Sequence, residues 1–325
     1  MQLLLGVPVL QMIAAGVELR LFDRIGEARI NAGDLADSVG ASHDATYRLL
    51  RGLSAVGLVI EHEARAFSLS SMGNLLRSNV PGSFDALARL NGSAWLGDAY
   101  REIAHSVVTG ESGFTKHHGQ PLFQWLSQHS EESSLFGRAM STFSGAEVEL
   151  VAGQFDFSQC EHIIDVGGGH GLLLSRLLEL VPEAKGTLFD TPQTIGQAEG
   201  GLLEHVKARC ERTAGDFFQS VPAGGDLYLL KHVLHDWDDD KALRIVGNVA
   251  AAMPHGAQLL VIEQGIAPPG IPNAGKVLDV IMLALLDGGR ERTVDEHASL
   301  MERAGLMFER EIATPGPVTL FVARK

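Results

Sequence analysis

An apolar run closed by an acid and a glycine-rich turn, Ile163-Ile164-Asp165-Val166-Gly167-Gly168-Gly169-His170-Gly171, constrains this chain more than any other segment. A helical apolar pattern follows at once, with Leu172, Leu173, Leu174, Leu177 and Leu178 on its inward side. Strand, glycine loop and helix in that order make the first half of a nucleotide-binding βαβ unit. The glycine spacing refines the expectation. A dinucleotide fingerprint, G-x-G-x-x-G, needs its third glycine at position 172, where this chain has Leu172. Here it falls one residue earlier, at Gly171, giving D-x-G-x-G-x-G. A helix N-terminus approached through glycine backbone accepts an anion closely. With Asp165 just before the loop, the site suits the carboxylate and ammonium of an amino-acid-like ligand, and S-adenosylmethionine is such a ligand.

The bulk properties narrow the partners. With 325 residues and 45% hydrophobic side chains, the chain has material for two domains with sizeable cores. Its formal net charge of −14 repels phosphate backbones and anionic lipid, so neither nucleic acid nor membrane is an expected partner. Cys160 and Cys210 form no C-x-x-C, which argues against a disulfide framework or a metal knuckle and fits a reducing cytoplasm. The apolar stretch up to Gly16 has no Lys or Arg before it and runs directly into an amphipathic pattern, so it is expected to be a buried helix rather than a signal peptide.

Residues 1–83 read as short helices and a hairpin. Asn31 caps a helix that Gly40 ends, and Ser42 caps a second helix through Leu53. Leu58-Val59-Ile60 and Phe67-Ser68-Leu69, joined by a charged turn, read as a two-stranded wing; together these elements predict a winged helix. A DNA reader needs a basic recognition face. Arg48, Arg51, Arg65 and Arg77 are outweighed here by Asp34, Asp37, Asp44, Glu61 and Glu63, so packing against a second subunit is the preferred role. The apolar first helices point the same way, to a homodimer. Residues 84–153 are helical and are expected to contribute to a small-molecule pocket. His117-His118 reads as an exposed pair in a loop and receives no role.

From residue 154 to 325 the pattern alternates β and α, predicting a Rossmann-like α/β domain with a mostly parallel sheet. Strands are expected at Ile163–Val166, Thr187–Asp190, Val206–Cys210 (with room to extend to Thr213), Asp226–Leu230, Gln258–Glu263, Phe308–Ala313 and Val318–Ala323. The last two, joined only by Thr314-Pro315-Gly316-Pro317, form an antiparallel C-terminal hairpin. In open α/β sheets, ligands bind beyond the carboxyl ends of the strands. Those ends carry Asp165 with the glycine loop, then Asp190, then Asp216-Phe217, then Lys231-His232-Val233-Leu234-His235-Asp236-Trp237, then Glu263.

The ordered set DVGGGHG, FDTP, GDFF, KHVLHDWDD, VIE and GGRERT resembles the plant-type (class II) small-molecule O-methyltransferases and their bacterial secondary-metabolism branch. An N-terminal winged-helix dimerisation domain is also a trait of that family, so the resemblance spans nearly the whole chain. It implies S-adenosylmethionine as cofactor and S-adenosylhomocysteine as product. Asp165, Gly167 and Gly169 would border the amino-acid portion, Asp190 the ribose, Asp216 and Phe217 the adenine, with Lys231 a further cofactor contact. His235 would be the general base, flanked by Glu263 and Glu291. Where plant relatives carry D-x-x-M-L-A-H-N, this chain has Asp279-Val280-Ile281-Met282-Leu283-Ala284-Leu285-Leu286. That change predicts an apolar aromatic or polyketide-like phenol as acceptor, with Phe136, Met140, Met282 and Leu286 as wall candidates and His232 and Asp236 beside them.

The chemistry is coherent on its own terms. A sulfonium methyl is already activated, so alignment at ~3–3.5 Å and a competent nucleophile are what remain to be supplied. A phenol near pKa ~10 and an imidazole near ~6.5 leave a gap of roughly 5 kcal/mol, which a carboxylate beside the imidazolium reduces. No metal is called for. Competing roles exist for several residues. Asp238, Asp239 and Asp240 suit the cap of a helix over Lys241–Met253 better than a metal site, and Arg290 and Arg292 offer Glu291 a plain salt bridge. Two other functions share the pattern: an N-methyltransferase acting on an aromatic heterocycle, and a S-adenosylmethionine-sensing winged-helix regulator that binds DNA.

Overall fold

The computed structural model describes residues 2–198 and 201–325, and the chain divides into two compact units: Met1–Asp98 with Leu126–Phe143, and Ala99–Trp125 with Ser144–Lys325.

In the first unit, helix Gly6–Glu18 buries Gly16 and Val17 at its C-terminal end, whereas Leu4, Leu5 and Val7 at its start face outward. The expected buried helix is therefore buried over only part of its length in the single chain. Helix Ala32–Ser38 begins where the Asn31 side chain accepts the Gly33 N–H, and helix His43–Ala55 where Ser42 accepts that of Ala45. Each cap satisfies a donor that the first helical turn leaves free. Thr46, Leu50 and Leu53 recur at helical spacing and turn inward on the second of these helices, against Leu21, Phe22, Ile25, Leu35 and Phe67. Strands β2 (Val59–His62) and β3 (Ala66–Leu69) form the predicted wing. A strand not foreseen, β1 (Ile30–Asn31), pairs with β3 and makes the sheet three-stranded.

The second unit is built on a seven-stranded sheet. Its strands are β4 (His162–Val166), β5 (Lys185–Asp190), β6 (Cys210–Ala214), β7 (Leu227–Lys231), β8 (Gln258–Glu263), β9 (Met307–Ala313) and β10 (Thr319–Arg324), in the order β6-β5-β4-β7-β8-β10-β9. The first five run parallel, and β10 is antiparallel to both β8 and β9, as the short Thr314–Pro317 connection requires. Successive side chains on a strand point to opposite faces. Ile164, Tyr228, Leu230, Leu259 and Val261 pack with Ile245, Val246 and Val249 on one face; Ile163, Leu227, Leu229, Leu260 and Ile262 pack with Leu174, Leu177 and Leu178 on the other. Each such fully buried side chain contributes about 1.5–3 kcal/mol. The strand ends are thereby fixed in a rigid row.

Two expectations need correction. The third parallel strand lies at Cys210–Ala214, not Val206–Cys210, because Glu204–Val206 makes a 3-10 turn that buries Val206. The Arg209 side chain then reaches the carbonyls of Leu178 (2.8 Å) and Ala184 (2.6 Å), and its own carbonyl accepts the Gly186 N–H at 2.8 Å where pairing with β5 begins. His117-His118 is not a loop but the end of helix Gly113–His118, with the His118 ring 4.2 Å from that of Phe114 and 5.2 Å from that of Trp125. Among the described residues, no helix is long and apolar enough to cross a membrane.

Candidate active site

The glycine loop after β4 shows why its residue types are needed. Gly167, Gly169 and Gly171 have φ of 71°, 59° and 80°, a left-handed backbone that other residues adopt only with strain. A Cβ on Gly167 would stand 2.8 Å from Val233 Cγ2 and 3.7 Å from Phe217, and one on Gly168 would stand 2.5 Å from Asp165 Oδ2. The loop is thus pressed onto the neighbouring strand ends. Asp190 closes it from β5, its Oδ2 accepting the Gly169 N–H at 2.9 Å and its Oδ1 that of Thr191 at 2.7 Å. Asp216 Oδ1 likewise accepts the Phe218 N–H at 2.8 Å, and the Phe217 carbonyl is held by Asn248 at 2.7 Å. Phe217 and Phe218 pack edge-on against Trp237.

Asp165 is buried, and among the described residues neither carboxylate oxygen makes a close hydrogen bond. Burial pushes its carboxyl up to about 7, against the attraction of Lys231. A buried carboxylate without donors is expensive, and a cationic ligand group relieves it. The loop and this acid fit the ammonium end of S-adenosylmethionine.

At the ends of β7 and β8 a second cluster forms. Lys231 Nζ lies 2.7 Å from Glu147 Oε2 and donates to Ser144 Oγ at 3.0 Å, both on helix Ser130–Gln154. His232 takes a left-handed φ of 52°, a conformation costing about 1–3 kcal/mol in a non-glycine residue. Its Nε2 donates to Glu147 Oε2 at 2.9 Å. Burial and Lys231 oppose its charged form, but Glu147 and Glu263 outweigh them and raise its proton affinity. The ring lies 5.2 Å from that of His235, with 24° between the planes.

His235 sits on the turn Leu234–Asp236. Its Nδ1 donates to Glu291 Oε1 at 2.7 Å and lies 3.4 Å from Glu263 Oε2, while Nε2 lies 3.4 Å from Asp236 Oδ1. Burial disfavours the imidazolium, yet Glu263, Asp236 and Glu291 together hold its pKa up at about 10. Glu263 Oε1 accepts the N–H groups of Val233 (3.1 Å) and Leu234 (2.9 Å), pinning the turn. Burial opposes the charge of Glu263, but the histidines outweigh it and lower its pKa. Glu291 is pushed up by burial, and burial lifts Asp236 to about 7.

The plain salt bridge foreseen for Glu291 does not form. Arg292 is buried and donates to the Leu234 and Trp237 carbonyls and to Asp239, while Arg290 faces Asp239 and Glu296. The Glu291 N–H is held by Asp279 Oδ1 at 3.0 Å. Asp238 caps helix Asp239–Ala252, as its position suggested.

The structure therefore brings His232, His235, Asp236, Glu263 and Glu291 into one cluster, and Asp165, Gly167, Gly169, Asp190, Asp216, Phe217 and Lys231 along one rim. Met282 and Leu286 are buried in the second unit, Leu286 against Gly289 beneath the His235 carbonyl. Phe136 is half-buried and Met140 exposed, both on the Leu126–Phe143 segment of the first unit. Glu147 and Ser144 escaped the sequence reading. Their signal was helical spacing: Ser144, Glu147 and Val151 share one stripe, and Val151 is core.

A Rossmann-like sheet with this glycine loop and a carboxylate-held histidine at its rim defines an enzyme of the nucleotide-cofactor class. Residues 100–307 match the model of the O-methyltransferase domain, and residues 1–79 that of the O-methyltransferase dimerisation domain. The phenazine O-methyltransferase PhzM of Lysobacter antibioticus is 36% identical over 100% of this chain and 95% of its own length. The mitomycin biosynthesis 6-O-methyltransferase of Streptomyces lavendulae is 35% identical, covering 96% and 90%. Human N-acetylserotonin methyltransferase, solved in complex with S-adenosylmethionine, superposes with a TM-score of 0.91 at 26% identity, covering 99% of this chain and 95% of that one. The chain belongs to the O-methyltransferase family and is a S-adenosylmethionine-dependent O-methyltransferase.

Proposed function

We propose that the chain methylates a phenolic hydroxyl of an aromatic or polyketide-like small molecule, with His235 as general base. The observation that carries this is the 2.7 Å bond from His235 Nδ1 to Glu291, which commits one ring nitrogen and leaves Nε2 for the acceptor. S-adenosylmethionine, when bound, supplies a methyl group already activated on a sulfonium.

The rest is the work of this chain's residues. Asp165, Gly167 and Gly169 are assigned to the amino-acid end of the cofactor, Asp190 to the ribose, Asp216 and Phe217 to the adenine, and Lys231 to a further polar contact. Each oxygen of Asp190 already takes one backbone N–H and keeps a lone pair for a ribose hydroxyl. With His235 near 10, a proton rests on the imidazole about as readily as on a phenol of pKa ~10. The acceptor oxygen then stands beside an imidazolium with phenolate character, and one proton is shed to solvent as the phenol enters. Glu263 and Glu291 hold the ring and stabilise its charge.

Buried Met282 and Leu286, in place of polar residues, support an apolar acceptor wall, to which Phe136 and Met140 are assigned as well. His232 and Asp236 are the polar groups proposed to face it. Residues 1–79 and the outward Leu4, Leu5 and Val7 support a homodimer formed through the N-terminal region.

The test is incubation with S-adenosylmethionine and a panel of phenols and aromatic amines, read by mass spectrometry, for the native chain and for His235→Ala. Methylated phenols that disappear with His235→Ala support the assignment. Undiminished methylation by that variant would remove His235 as base, and methylated amines alone would move the acceptor from oxygen to nitrogen.

A further inference from the structure

His232, His235 and Glu263 have a geometry that proton removal does not explain. Glu263 Oε2 lies 3.4 Å from His232 Nδ1 and 3.4 Å from His235 Nδ1. An N–H···O bond closes to ~2.7–3.2 Å, and among the described residues neither Glu263 Oε2 nor His232 Nδ1 makes a hydrogen bond that short, although Glu263 is wholly buried. His232 Nε2 donates to Glu147, so Nδ1 is the ring nitrogen turned to the Glu263 carboxylate. Where a proton sits between the two, a divalent cation can take its place.

The distances select its kind. A tetrahedral ion with bonds of ~2.0–2.2 Å to nitrogen and oxygen sets its donors ~3.3–3.5 Å apart, the spacing Glu263 Oε2 keeps to each histidine Nδ1. One donor atom from each of the three residues lies within 4.8 Å of the other two. Two imidazoles and a carboxylate suit zinc or cobalt rather than magnesium or calcium. Metal-bound histidines usually donate their other N–H to a carboxylate, and Glu147 already receives that of His232. A solvent water completes the fourth position, as in open zinc sites.

We propose that His232, His235 and Glu263 form a site for a zinc-type divalent cation, and that an ion held there stops methyl transfer. The ion replaces the proton on His235 Nδ1, which is released to solvent, and displaces the bond of that nitrogen to Glu291. It also draws electron density from the ring, so that Nε2 no longer accepts a proton from the acceptor. The inhibitory half rests on His235 being the base; uptake of the ion does not.

Co²⁺ serves as the probe, because its visible absorption reports tetrahedral coordination. Titrated into chelator-treated native chain, it is expected to bind one ion per chain, to be displaced by Zn²⁺, and to give no such spectrum with His232→Phe or Glu263→Gln. Glu147→Gln is expected to weaken uptake about tenfold or more. Methylation is expected to fall with the same midpoint and to return with chelator. A cooperative melt shows that each variant is folded. The site is overturned if native chain takes up no ion, or if both ligand variants bind it as well as the native chain. Uptake without loss of methylation overturns the inhibitory half alone, and a His235→Ala chain that still methylates sinks the base assignment while leaving uptake to stand.

Discussion

The cofactor rim and the histidine cluster lie on adjacent strand ends, yet they are held in different ways. At the rim, backbone N–H groups of Gly169, Thr191 and Phe218 fix Asp190 and Asp216, and glycine conformation does the rest. In the cluster, side chains hold side chains, Glu147 with Lys231 and His232 and Glu291 with His235, and Glu263 alone of the three acids also takes backbone N–H groups, from Val233 and Leu234. Backbone-held acids depend on the shape of the loop. Charge-held groups depend on each neighbour's charge, so there one substitution reaches several residues. The rim should therefore respond to steric change and the cluster to charge change.

The largest expected effect is in the cluster. His235→Ala should lower kcat by about 10²–10⁴-fold and leave S-adenosylhomocysteine affinity, measured by calorimetry, near that of the native chain. If affinity falls in parallel with rate, the two regions are not separable as described.

Next comes a pH effect beneath the cluster. His297 is buried against Phe321, among the described residues neither ring nitrogen is hydrogen-bonded, and burial lowers its pKa to about 4. The unfolded chain, near 6.5, takes up that proton first, so the contribution of His297 is whole above pH ~6.5 and is lost as pH falls toward ~4. Up to about 3 kcal/mol is involved. Denaturant titrations at several pH values should show His297→Phe losing that part of the acid sensitivity; identical pH curves for both chains would contradict it.

At the rim, Gly167→Ala must accept φ of 71° and a Cβ 2.8 Å from Val233. It should cost about 1–3 kcal/mol of stability and weaken S-adenosylhomocysteine binding more than it slows turnover at saturation. A change in kcat alone would make the loop part of the chemistry rather than of the cradle. The smallest effect is expected for Glu147→Gln, which keeps the shape but removes the charge shared by Lys231 and His232. A drop in kcat of about tenfold, equivalent to one charged hydrogen bond, should come with a shifted pH profile; loss of stability with an unchanged profile would reduce Glu147 to a packing role.

The same contrast explains what the sequence disclosed. The glycine loop, Asp190 and Asp216 were legible because strand ends and glycine spacing are local signals. Strand β8 was legible from its continuous apolar run. Glu147 was not, since its partner His232 lies 85 residues away and its local mark is only the helical spacing it shares with Val151. The misplaced third strand has a similar origin. The apolar Val206 suggested a strand start, but its side chain fills a core while Arg209 is tied to carbonyls at Leu178 and Ala184. Long-range pairing decided both cases.

The central claim is that a carboxylate-held imidazole readies the acceptor oxygen through Nε2. A crystal structure with S-adenosylhomocysteine and a phenol that the chain methylates tests it most directly. The expected result is the phenol oxygen within ~2.6–3.2 Å of His235 Nε2, with Nδ1 still bonded to Glu291. An acceptor oxygen out of reach of that nitrogen, with Glu291 turned away from the ring, would contradict it.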